Sequence, residues 1–250
     1  MNISGNTVLI NGGTSGIGRA LAEFFYQQGN KVIIAGRRQL LLDEIISAHP
    51  GMIGKQLDVR NLDEVTLFVK DISENHPGLN VLINNAGISR AEDLTSDSVE
   101  LSDAHSIIET NIFSVLHLTA GFIPLLKNQK AATIITTTSG LAFVPSAAYP
   151  TYCASKAFLH SWLQSLRFQL RKTDIEVLEL APPYVQTELT GADQVTDPNA
   201  MPLPDFIEEV IQIIKDKNYI NGEILVKRAQ TERLAERNGE YNIVFARHNK

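Results

Sequence analysis

Short apolar runs and longer amphipathic runs alternate along the chain. Thr7 to Ile10, Lys31 to Ala35, Ile53 to Leu57, Val81 to Ile83, Ala132 to Thr138, Ile175 to Leu180 and Gly222 to Val226 are short and mostly apolar. That is the pattern of strands buried on both faces of a sheet. Between them, apolar residues recur at helical spacing over Ala20 to Gln28, Leu40 to Ala48, Asp103 to Leu126, Phe206 to Lys217, and a run through Tyr152 to about Arg171. A further helix starts after Asn61, where Glu64 three residues on completes an N-cap signature. Strand and helix in alternation predict an α/β fold.

The first strand runs into Asn11-Gly12-Gly13-Thr14-Ser15-Gly16-Ile17-Gly18 before its helix. Glycines let backbone pass close to a pyrophosphate, and a helix N-terminus offers free N–H groups to an anion. The spacing is Gly-x-x-x-Gly-x-Gly, not the commoner Gly-x-Gly-x-x-Gly, and by itself it also suits a plain tight turn. The second strand then ends at Gly36-Arg37-Arg38. An acid at that strand end would bind both adenosine ribose hydroxyls and repel a 2′-phosphate, whereas arginine grips that phosphate. The sequence therefore predicts NADP(H) in preference to NAD(H), with Arg37 the first reader of the phosphate and Arg38 the second. Asp58-Val59 ends the third strand, and Asp58 is placed to accept from the adenine amino group. Asn84-Asn85-Ala86-Gly87 closes the fourth, where small and amide residues suit a tight turn beside a ligand.

Tyr152 and Lys156 stand four apart, on one face if the segment is helical. A free tyrosine has a pKa of about 10, and a nearby cation favours its phenolate. The pair could therefore move a proton. Ser139 ends the fifth strand and can return to the phenol over a short loop, or serve only as a turn residue. Asn111 interrupts the apolar face of its helix, so it must bridge structure or hold ordered water. Between Gln186 and Pro204 there is no clear periodicity, and the stretch reads as a flap over a substrate.

Composition narrows the class. At 250 residues one domain is expected, spanning 1–228 with a flap at about 186–204, followed by a charged tail at 229–250 that turns β-like at Tyr241 to Ala246. The tail could be an oligomer contact. There are 22 basic and 28 acidic side chains, a net charge of −6, which argues against nucleic acid or an anionic membrane as partner. No uninterrupted apolar run approaches the roughly 18 residues of a membrane span. Cys153 is the only cysteine, excluding an intrachain disulfide and pointing to the cytoplasm. The histidines lack metal-ligand spacing, so no metal site is expected.

Taken in order, the glycine motif, Asn84-Asn85-Ala86-Gly87, Asn111, Ser139 and Tyr152-x-x-x-Lys156 resemble the short-chain dehydrogenase/reductase family from Thr7 to about Val226. The resemblance implies a Rossmann-type, doubly wound fold with a seven-stranded parallel sheet and helices on both faces. It implies a nicotinamide cofactor, which Arg37 and Arg38 make NADP(H) with NAD(H) as the alternative, a small carbonyl or alcohol as substrate, and a homodimer or homotetramer. By it, Tyr152 is the acid in carbonyl reduction, Lys156 tunes it and bonds the nicotinamide ribose, Ser139 bonds the substrate oxygen, and Asn111 holds a water linking Lys156 to solvent. The cofactor contacts it implies are Gly12, Thr14, Ser15, Gly16, Ile17, Gly18, Arg37, Arg38, Asp58, Val59, Asn85, Ala86, Gly87, Tyr152, Lys156, Pro182, Val185 and Thr187.

Two positions depart from the family pattern. Asn11 replaces the usual threonine, and Pro183 replaces the glycine of Pro-Gly, which stiffens the nicotinamide-side loop. Together with Ser139 to Pro145, the Pro-Pro-x-Val-x-Thr segment looks like the DltE-like oxidoreductases. Leu141, Phe143, Tyr149, Tyr184 and Leu189 are the pocket candidates. A non-catalytic NADP(H) sensor is the second reading, and an epimerase or dehydratase of the extended branch is the third.

Overall fold

A computed structural model describes residues 1–249; Lys250, the end of the predicted tail, lies outside the described residues. Seven strands form one parallel sheet: β1 (Thr7–Asn11), β2 (Lys31–Gly36), β3 (Ile53–Gln56), β4 (Val81–Asn84), β5 (Ala132–Thr137), β6 (Ile175–Leu180) and β7 (Glu223–Ile224). Their order is β3-β2-β1-β4-β5-β6-β7. The order reverses direction between β1 and β4, so the crevice beyond the carboxyl ends of those strands is where this architecture binds ligands.

Helices α1 (Gly16–Gln27), α2 (Gln39–Ala48), α3 (Leu62–Asn75), α4 (Ser102–Ile108), α5 (Ser114–Leu126), α6 (Pro150–Leu170) and α7 (Leu203–Asp216) cover the sheet. Alternate strand residues serve opposite faces. Val8 and Ile10 pack with α1, α2 and α7 through Phe25, Leu42 and Phe206, while Leu9 packs with α3, α5 and α6 through Phe68, Phe122 and Leu163. Both faces are thus apolar, as a parallel sheet wrapped by helices requires. The Asn61 cap forms as expected, its Oδ1 accepting from Asp63 and Glu64 N–H at 3.1 and 3.3 Å.

The run from Asp103 to Leu126 is helical throughout, as expected, but not α-helical throughout: α4 and α5 are joined by a wider turn, Glu109–Phe113, in which Ser114 N–H donates to the Glu109 carbonyl five residues back. By length and composition the run Ser102–Leu126 is apolar enough to cross a membrane, but Val115, Leu118, Phe122 and Leu126 are buried in the protein. The tail is helical rather than β-like. It forms α8 (Gln230–Leu234) and α9 (Tyr241–His248), where Tyr241 and Phe245 stack one turn apart and Val244 packs against Val144 and Ala235. Tertiary packing outweighs the strand preference of the Ile, Val and aromatic residues there.

Candidate active site

The glycine segment is shaped by close packing. Gly12 has φ +74°, and a Cβ on it would lie 2.7 Å from Ala86 Cα. A Cβ on Gly18 would overlap the Gly12 carbonyl oxygen and lie 2.5 Å from Asn85 Nδ2. Asn85 ties the region together: its Nδ2 donates to Gly12 O at 3.2 Å and its Oδ1 accepts from Thr137 Oγ1 at 3.1 Å. The ends of β1, β4 and β5 are thereby locked around one crevice. Thr187 closes it from the far side, its Cγ2 lying 3.3 Å from where a Gly16 Cβ would be.

At the other end of the crevice, Arg38 donates to Ser15 Oγ at 3.0 Å, while Arg37 is exposed. Gly36 is required for packing, since a Cβ would come within 2.8 Å of Thr14 Cγ2. Asp58 is already engaged by Arg60, with Nη2 to Oδ2 at 2.7 Å. Arg60 holds the Asp58 carboxyl below its usual range, and Arg37 adds to the effect. Sequence reading passed over Arg60, although its place two residues beyond Asp58 was the available signal.

Tyr152, Lys156 and His160 follow at four-residue intervals on α6, and the first two are buried. Lys156 Nζ donates to the Thr137 carbonyl at 2.8 Å and lies 5.8 Å from the Tyr152 ring centre. Burial lowers the Lys156 ammonium to about 8. Burial also pushes the Tyr152 phenol up to about 12, with the Ser139 side chain working in the opposite direction. In the protein alone, desolvation therefore outweighs any stabilisation of phenolate by the lysine, the reverse of the expected direction. Ser139 Oγ accepts from Leu141 N–H at 3.1 Å, leaving its proton free to donate.

Asn111 is fully buried and bonded through both of its side-chain polar atoms. Its Oδ1 accepts from Ile88 N–H at 2.9 Å, and its Nδ2 donates to Ile88 O and Ser155 Oγ, both at 3.0 Å. The side chain is thus a structural bridge from the wider turn to the Gly87 loop and to α6. A Cβ on Gly87 would sit 3.4 Å from Asn111 Oδ1 and 3.5 Å from Lys156 Nζ, so both flank the same point.

Glu92 is a residue that sequence reading missed. Its carboxylate accepts from Thr151 N–H at 2.9 Å and Thr151 Oγ1 at 2.7 Å. It caps the first turn of α6, immediately before Tyr152, where the helix has no cap from its own Tyr149. The segment after β6 is ordered by its own contacts: buried Gln194 donates to Val185 O at 2.6 Å and Thr187 Oγ1 at 3.2 Å, and Val185 bridges to Met201. Phe143, half-buried, packs its ring edge-on against His160 at 4.9 Å.

A family model described as short chain dehydrogenase matches residues 6–197. The chain belongs to the short-chain dehydrogenase family. Within it the protein is DltE-like, 45% identical over 189 residues to the uncharacterized oxidoreductase DltE of Bacillus subtilis (strain 168), covering 76% of this chain and 75% of that one. Among solved structures, a short-chain dehydrogenase/reductase from Burkholderia phymatum in complex with NAD superposes with a TM-score of 0.82 at 22% identity, over 97% of this chain and 96% of that one. A short chain dehydrogenase from Burkholderia cenocepacia in complex with NADP gives 0.82 at 22% identity, over 99% of both chains. As a short-chain dehydrogenase, the protein is an oxidoreductase with a nicotinamide-nucleotide-binding fold.

Proposed function

We propose that this dehydrogenase moves a hydride between NADP(H) and a small carbonyl or secondary alcohol, with Tyr152 as the proton donor and acceptor. The observation that carries the reading is the buried phenol of Tyr152, placed on α6 one turn before the Lys156 ammonium and influenced by the Ser139 side chain. The residues fit the cofactor: the Gly12–Gly18 approach leaves backbone, not side chain, facing the crevice, and Arg37, Arg38 and Arg60 gather cationic charge at its adenosine end. When bound, the cofactor supplies or accepts the hydride.

The protein's own groups handle the proton. In reduction Tyr152 gives its phenolic proton to the carbonyl oxygen while Ser139 donates a hydrogen bond to it. A phenol held at about 12 keeps its proton at neutral pH and is ready to act as the acid. Lys156, with its lowered affinity for a proton, resupplies the phenolate, and with the cofactor bound it would also hold the nicotinamide ribose. The wider turn at Asn111 anchors the loop beside Lys156 through Ile88, and a water beside it would link the lysine to solvent.

The compartment is the cytoplasm, to which an acidic chain with one buried, unpaired cysteine is suited. Exposed Phe113, Phe158 and Phe168 provide apolar surface that a second copy would cover. Screening aldehydes and ketones for NADPH oxidation tests the reading. Turnover with NADPH exceeding that with NADH supports it; tight NADPH binding with no turnover of any carbonyl would instead favour a cofactor sensor.

A further inference from the structure

The segment from Ser139 to Tyr149 carries the substrate-side hydroxyl, yet on its outer side it is covered by chain lying beyond the residues matched by the family model. Arg233 of α8 forks onto Glu223 of β7, with Nε to Oε2 at 2.6 Å and Nη2 to Oε1 at 2.9 Å. The same guanidinium lies 5.0 Å from the Phe143 ring centre. Phe143 in turn packs on His160, whose Nδ1 bonds Glu179 Oε2 at 2.8 Å, and Glu179 Oε1 accepts from Thr138 Oγ1 at 2.7 Å. A path of contacts therefore runs from α8 to the residue preceding Ser139 and to the helix carrying Tyr152.

A ring nitrogen of His160 and carboxylate oxygens of Glu179 and Glu223 lie within 4.8 Å of one another, and Arg233 supplies positive charge to that cluster. A second set of contacts grips the same turn independently. Glu232 Cγ lies 3.5 Å from where a Gly140 Cβ would be, and its Oε1 meets His248 Nε2 at 3.3 Å. His248 Nδ1 meets Val144 O at 3.3 Å, while Asn249 bonds Pro145 O and Ala147 N–H.

We propose that the segment from Lys227 to Asn249 is a positioning arm, in which Arg233 fixes the Ser139 turn against α6 so that the Ser139 hydroxyl and the Tyr152 phenol meet one substrate oxygen. Arg233 touches no reacting atom; it acts through Phe143 and the Glu179–Thr138 bond. This extends the hydride-transfer reading above. Removing Arg233 alone would strand the buried Glu223 carboxylate, so the informative protein is the full chain carrying Glu223→Gln with Arg233→Gln, compared with Arg233→Lys.

Two readouts decide it. In the free protein, hydrogen exchange at the Leu141, Ala142 and Phe143 amides rises about tenfold or more in the double variant, while amides of β1 and β4 keep their rates. In carbonyl reduction, kcat falls about tenfold with KM and NADPH affinity within about twofold, and Arg233→Lys recovers part of the loss because it keeps the charge without the fork. Unchanged exchange at those three amides overturns the arm, as does faster exchange across the whole sheet, which would mark general loosening. Unchanged kcat in a protein with raised local exchange overturns the positioning role. If the unaltered protein turns over no carbonyl, the hydride-transfer reading fails by itself and exchange alone judges the arm.

Discussion

Lys156→Met removes a buried cation while keeping the length of the side chain, and its effect on stability can be worked out in sign and size. Burial lowers the folded-state pKa of Lys156 from 10.5 to about 8. The unfolded chain therefore binds more protons than the folded one between those values, and the lysine's unfavourable contribution shrinks as pH rises from about 8 toward 10.5. At pH 7 the full penalty applies, at most about 3 kcal/mol from a shift of that size. Losing the bond to the Thr137 carbonyl returns about 1–2 kcal/mol of it. The variant should thus be more stable than the parent at pH 7 by about 1–2 kcal/mol, a rise in Tm of roughly 2–8 °C for a chain of this size. The gain should diminish through the alkaline range, while turnover is lost at every pH. Urea unfolding at pH 7, 8.5 and 10 measures the difference directly. A variant less stable than the parent at pH 7, or a difference independent of pH, would refute a lysine kept buried for function at the expense of stability.

Other perturbations separate the parts of the site. Arg37→Ala should weaken NADPH by about tenfold or more in calorimetric titration and leave NADH within about twofold, because only NADPH carries the extra phosphate; equal losses would show that Arg37 does not read it. Glu92→Ala should cost about 1 kcal/mol in denaturant unfolding and lower kcat more than it raises KM, since it frays the turn that aims Tyr152, and Glu92→Gln should recover part of both. Gly18→Ala should destabilise by about 1–3 kcal/mol and abolish measurable cofactor binding, because the added methyl has only the Gly12 carbonyl and Asn85 to displace; a stable variant that still binds NADPH would contradict the packing argument.

The elements of the sheet were readable because a strand buried on both faces leaves a short apolar run that little else in a soluble chain produces. Helical spacing likewise placed Tyr152 and Lys156 on one face of α6. Asn111 marked a special position, but not its form: a single wider turn shifts the helix by one residue and leaves the apolar pattern before and after it nearly intact. Glu92 could not be paired with Thr151 from local pattern, since a loop and more than one secondary element separate them. Spacing reports a cation beside Tyr152 but not the depth at which both groups are buried, and it is that burial which raises the phenol. In the tail, Tyr241 to Ala246 has strand-like composition, and the helix is explained by long-range contacts, such as that of Val244 with Val144 and Ala235, which local pattern does not carry.

The central claim is that Tyr152 carries the proton and the rest of the crevice carries the cofactor. Tyr152→Phe keeps the ring, its packing and the 5.8 Å placement of Lys156 while deleting one hydroxyl. Single-turnover oxidation of bound NADPH by an accepted carbonyl, measured beside NADPH affinity for the same protein, tests the claim most directly. The account predicts at least a hundredfold slower oxidation, about 3 kcal/mol in the barrier, with affinity within about twofold. Oxidation at the parent's rate would contradict it.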